Sequence, residues 1–135
     1  MMIRAFLTAT AFVLFAGAAS ANPCGFSAAQ TITVKGYAIG ATSVPKDQQE
    51  RLAKFAETAK ARFEICVFAQ VDKTGSDAAN KKVAEARAKG VVNFLVKEGV
   101  PKEHITVAKQ EKALTFFGLL SDDQADDRRV VVTHN

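Results

Sequence analysis

The sequence predicts one small α+β domain, a mixed sheet with helices packed on one face. Short runs rich in β-branched residues alternate with longer stretches whose apolar residues recur every three or four positions. Turn and cap residues separate these runs, and the last two strand-like segments follow one another without a second periodic stripe between them. The resulting order, β-α-β-α-β-β, links strands through helices and so calls for a sheet containing both parallel and antiparallel neighbours.

The elements follow in order. Residues 30–39 (QTITVKGYAI) carry Ile32, Val34 and Ile39 among β-branched neighbours and read as a first strand. Residues 40–43 form a loop, and Pro45 suits the first turn of a helix. Leu52, Phe55, Ala56, Ala59 and Phe63 then form the stripe of an amphipathic helix. Residues 64–71 (EICVFAQV) are almost wholly apolar, as in a strand covered on both faces. Asp72–Gly75 is the next loop, with Ser76 as N-cap of a long helix that runs to about Glu98. Gly99 and Pro101 stop it. Residues 104–109 (HITVAK) form a third strand, and residues 112–125 are irregular or hold a short helix around Phe116–Leu120. Residues 129–133 (RVVVT) close the sheet.

Ahead of the domain stands a leader. Arg4 is the sole charge among residues 1–21; an apolar run from Ala5 to Ala19 follows, ending in Ala19-Ser20-Ala21. A basic start, a short apolar core and a small-x-small exit define a cleavable secretory signal. An uncleaved anchor would need about 20 apolar residues, and this run has 15. The residues before Cys24 lack the pattern that lipidation requires. The expected organisation is therefore a signal peptide at 1–21, an N-terminal tail at 22–30 and one domain at 31–135, without a transmembrane segment once the signal is removed. Loss of Arg4 leaves 17 basic against 14 acidic residues, a mild and dispersed surplus. It gives no reason to expect nucleic acid as a partner, because an exported domain rarely meets it.

Cys24 and Cys66 form an even pair bound for an oxidising compartment, where one disulfide is the simplest outcome and two unpaired small residues the alternative. His104 and His134 have no ligand-like neighbours, so neither a metal nor another cofactor is expected.

The long helix holds the informative anomaly. At the helical period Val83, Phe94, Arg87, Asn80 and Val91 fall within about 80° of arc. Arg87 and Asn80 thus sit in the apolar stripe. A guanidinium there needs an acceptor or must snorkel to a rim. Asp72, at the end of the apolar strand, is the natural partner. The two could form a structural ion pair, or flank a ligand bearing an ammonium and a carboxylate. Spacing alone leaves both open.

Val71-Asp72-x-x-Gly75-Ser76-Asp77-x-x-Asn80-x-x-Val83-Ala84-x-x-Arg87-Ala88 resembles the central motif of OmpA-like peptidoglycan-binding domains. Gly99-Val100-Pro101 with Ile105 is similar to that family's helix exit and next strand, and Asp127-Arg128-Arg129-Val130 to its closing Asn-Arg-Arg-Val. Tyr37, Ile39, Val44 and Leu52 fit its first strand and helix more loosely, so that the similarity covers roughly residues 31–133. The resemblance implies a non-catalytic periplasmic module that binds the diaminopimelate residue of the peptidoglycan stem, at the cell wall or the outer membrane. By the same resemblance Asp72 takes the ligand's ammonium, Arg87 its carboxylate, and Asn80 and Arg128 add hydrogen bonds. One fixed anion and one forked cation are what a zwitterionic end requires.

The motif also departs from the family. Ala69-Gln70-Val71 replaces the usual Gly-His-Thr, Gly40 an acidic or amide residue, Lys109-Gln110-Glu111 a glycine-rich turn, and Asp127 an asparagine. These changes keep a second reading open, a degenerate scaffold that binds an envelope protein. An enzyme is not expected: no Ser-His-Asp or Cys-His set can be assembled. The acids Asp122, Asp123, Asp126 and Asp127 suit a solvated turn better than a catalytic dyad.

Overall fold

A computed structural model describes residues 22–70, 77–108 and 128–135. They contain β1 (Gln30–Val34), α1 (Lys46–Ala59), β2 (Ile65–Ala69), α2 (Asp77–Lys97), a 3₁₀ turn (Lys102–His104), β3 (Ile105–Val107) and β4 (Val130–His134). The sheet order is β1-β4-β2-β3. β4 runs antiparallel to both neighbours, and β2 pairs parallel with β3. This is the mixed α+β sheet that the order of elements predicts.

Strand alternation divides the core in two. Ile32 and Val34, Ile65, Val67 and Ala69, and Val130 and Val132 point to one face, where they meet Leu52, Phe55, Ala56 and Ala59 of α1 and Ala84, Ala88, Val91 and Leu95 of α2. Cys66, Phe68 and Val131 point the other way, against Ala108, Cys24 and Phe26. Every residue of β2 is buried, as its unbroken apolar run implies. The second face is covered by the segment that precedes β1. Cys24 is disulfide-bonded to Cys66 with their Cα atoms 5.9 Å apart. Asn22 Nδ2 donates to Thr133 Oγ1 at 2.8 Å, and Asn22 Oδ1 accepts from the Cys24 and Phe26 amides.

Several boundaries differ from the sequence expectation. β1 ends at Val34, not Ile39, because the chain turns at Gly36 (φ 83°) and leaves Ile39 84% exposed. α1 stops at Ala59, so Phe63 lies beyond its stripe, 74% exposed, with its ring edge-on to His104. β3 is shorter because a 3₁₀ turn takes up residues 102–104. β4 reaches His134, which pairs with Gln30 and Ile65 and packs on Phe55 at 5.1 Å between ring centroids. Gly99 ends the long helix segment at φ 102°, in the left-handed conformation that glycine tolerates. The expected signal peptide at 1–21, the expected Ser76 cap, the segment 112–125 with its expected short helix and the four acids Asp122, Asp123, Asp126 and Asp127 lie outside the described residues, and no described helix is long and apolar enough to cross a membrane.

Candidate functional site

The loop between β1 and α1 is the centre of the site. Backbone N–H of Ala41 donates to the Ala38 carbonyl at 3.0 Å, closing a four-residue turn. Gly40 stands third in that turn at φ 73°, a position where a left-handed residue is required. Ile39 occupies the exposed apex.

Arg87 holds the turn from the α2 side. The residue is 1% exposed; Nε donates to the Ala41 carbonyl at 2.7 Å and Nη2 to the Ala38 carbonyl at 3.1 Å. The guanidinium lies 4.8 Å from the centroid of the Tyr37 ring. One planar fork thus bridges both ends of the turn while its charge rests on an aromatic face. The stripe reading of Arg87 holds, with one adjustment. The buried side of α2 is centred on Ala84, Ala88, Val91 and Leu95, so Val83, Phe94 and Asn80 are half-buried at its margin. Three residues beyond Arg87, a Cβ on Gly90 would stand 3.1 Å from the Thr42 carbonyl oxygen, so the missing side chain permits α2 to approach the loop closely.

Arg128 holds the loop from the other side, Nε donating to the Tyr37 carbonyl at 2.9 Å. Its neighbour acts elsewhere. Arg129 Nε donates to buried Gln70 Oε1 at 2.7 Å, while Gln70 N–H donates to the Arg129 carbonyl at 3.0 Å. The glutamine that replaces the family's histidine therefore ties the end of β2 to the start of β4. Tyr37 itself is 2% exposed, and its hydroxyl has no hydrogen-bond partner among the described residues. Burial pushes the phenol up to about 12, against the opposing pull of the Arg87 charge.

Of the four residues expected to bind ligand, Arg87 and Arg128 converge on Tyr37. Asn80 lies two helical turns before Arg87, within about 20° on the helix surface. Asp72 lies outside the described residues. The described residues include no group of three or more His, Cys, Asp or Glu side chains able to hold a metal. The roles of the Tyr37 ring, of the Ala38 and Ala41 carbonyls and of Gly90 are not among those the sequence suggests. Glycines at 36 and 40 on either side of Tyr37 were the available signal for a turned segment rather than a longer strand.

The family model described as the OmpA family matches residues 36–128. Outer membrane protein A of Serratia odorifera is 45% identical over 42 residues, covering 31% of this chain and 17% of the relative. Outer membrane protein A of Shimwellia blattae is 33% identical over 78 residues, covering 50% of this chain and 32% of the relative. The chain thus spans less than a third of the length of either relative. Among solved structures, the peptidoglycan-associated lipoprotein from Burkholderia pseudomallei superposes with a TM-score of 0.61 at 22% identity, over 76% of this chain and 89% of that one. The C-terminal domain of Helicobacter pylori MotB gives 0.62 at 16% identity, over 77% and 84%. The cell wall anchor of the T6SS from Pseudomonas aeruginosa gives 0.53 at 18% identity, over 77% and 79%. These structures share the fold.

Proposed function

Because this chain belongs to the OmpA family, we propose that it is an exported periplasmic module that binds peptidoglycan non-covalently, without catalysis, through the diaminopimelate residue of the peptide stem. The observation that carries the reading is the convergence of Arg87 and Arg128 on Tyr37, two guanidinium groups at one loop. Asp72 supplies the anion for the ligand's ammonium, Arg87 and Arg128 the cations for its carboxylate, and Asn80 a further hydrogen bond. Relatives described as peptidoglycan-associated or as a cell wall anchor have the same fold and support the assignment. Removal of residues 1–21 as a signal peptide would deliver the domain to the compartment where this polymer lies.

One observation favours the alternative, a retained scaffold that binds an envelope protein. Two donors of Arg87 are already spent on loop carbonyls, and a scaffold needs that clamp whether or not it binds the wall. Co-sedimentation with purified sacculi separates the readings. Wall binding predicts that the protein pellets, and that Asp72→Ala and Arg87→Ala shift it to the supernatant. Pull-down of an envelope protein that ignores both substitutions, with no sedimentation of wild type at low salt, supports the scaffold.

A further inference from the structure

The β1–α1 loop has a second, open side. A groove of about 430 Å³ runs between it and the first turn of α1, lined by Lys35, Tyr37, Asp47, Gln48 and Arg128 among others. Its volume suits a small ligand rather than a water cluster. Three features give it a mixed but mainly cationic character. Arg128 is half-buried, its Nε fixed on the Tyr37 carbonyl, and its two terminal nitrogens have no partner among the described residues. Lys35 is exposed and forms no ion pair among the described residues. α1 opens at Pro45 without a side-chain cap, so its first amides add positive potential to the same wall. Gln48 is buried and internally satisfied, accepting from Arg51 Nη1 at 2.7 Å and donating to Asp47 Oδ2 at 3.2 Å.

We propose that this groove is a second subsite, which receives the C-terminal carboxylate of the wall peptide between the free fork of Arg128 and the ammonium of Lys35. The inference rests on the peptidoglycan reading and extends it. Tyr37 joins the two sites: its ring carries Arg87 and its carbonyl holds Arg128. A peptide residue advances the chain by about 3.5 Å. A stem whose diaminopimelate end lies at Arg87 can therefore bring the carboxylate of its following residue to the other side of the same tyrosine. Asp47 on the groove wall offsets part of the cationic charge, so the groove suits one small carboxylate better than a surface dense with anionic headgroups. Arg128 thereby joins the two subsites, and Lys35 is a specificity-determining residue for the terminal carboxylate.

The test compares two probes, a soluble stem tetrapeptide ending in a free D-alanine carboxylate and its C-terminal amide, by calorimetric or NMR titration of the full mature protein. Wild type is expected to prefer the acid about fivefold, the scale of a partly screened charge pair. Lys35→Gln should cut that preference to about twofold or less and leave the affinity for the amide unchanged. Lys35 is exposed, so an unchanged melting temperature certifies the variant. Equal affinity for acid and amide, with binding still lost in Asp72→Ala, overturns the subsite and leaves the parent reading standing. Binding of neither probe overturns both. Lys35-dependent capture by vesicles of anionic phospholipid, without discrimination between the peptides, replaces the peptide carboxylate with a membrane headgroup.

Discussion

The two sides of the β1–α1 loop use the same side chain for different work. On the α2 side Arg87 is sealed from solvent, spans two backbone carbonyls and lies over a buried ring. On the α1 side half-buried Arg128 spends one nitrogen on the Tyr37 carbonyl and lines an open groove. A buried guanidinium costs much desolvation and must be satisfied by the protein before it can serve a ligand. A half-buried one can be oriented by a single bond and keep donors in reserve. Both arginines thus order the loop, one from within the protein and one from its surface.

The sharpest way to break the contrast is Arg87→Ala. It removes two charge-assisted bonds from a buried turn and is expected to cost about 3 kcal/mol of stability in denaturant unfolding. A cost near zero would place the turn's stability elsewhere.

Alkaline titration comes next. With the folded phenol pushed up to about 12 from an unfolded value of about 10, the folded state resists ionisation. The contribution is fully present below pH about 10 and is lost as pH rises toward 12, a swing of about 2 kcal/mol. Tyr37 is the single tyrosine and the chain has no tryptophan, so ultraviolet absorbance follows this phenol alone. A native midpoint at about 10 would contradict its burial. Tyr37→Phe should abolish the alkaline loss and, by deleting an unpartnered buried hydroxyl, leave neutral-pH stability unchanged or slightly higher.

Arg128→Ala should show the opposite balance to Arg87→Ala. It removes one half-buried bond, about 1 kcal/mol in the same unfolding experiment, yet weakens sacculus binding by about tenfold. Similar stability losses at both arginines would erase the distinction.

Gly90→Ala is the most finely balanced. Helix propensity favours alanine by about 1 kcal/mol, but the new Cβ would stand 3.1 Å from a backbone oxygen of a loop that Arg87 already pins. The expected net effect is a loss of about 0.5 kcal/mol, read from the shift in denaturation midpoint. A gain would mean that the loop yields.

The unevenness of what could be read from the sequence follows the same division. The apolar run of β2, the stripe of α1 as far as Ala59 and the misplaced charge of Arg87 are local patterns whose period decides burial, and the structure bears them out. Residues 35–39 are also locally strand-like, with Tyr37 and Ile39 in alternation. They leave the sheet at Gly36, and the loop so formed is held by tertiary partners that no window contains: Arg87 lies 46 positions from Ala41, and Arg128 lies 91 from Tyr37. Lys35 and Asp47 face one groove only because the loop folds back between them. The cysteine pair was legible from compartment chemistry. That it fastens the second sheet face, where Phe26 packs against the cluster containing Phe68, required the topology.

Sedimentation of the protein lacking residues 1–21 with purified sacculi tests the central claim most directly, with Asp72→Ala as the paired variant. Wild type is predicted to pellet at low salt, and Asp72→Ala to remain in the supernatant while keeping a cooperative unfolding transition. Wild-type protein that stays wholly in solution, or a variant that pellets equally well, would contradict it.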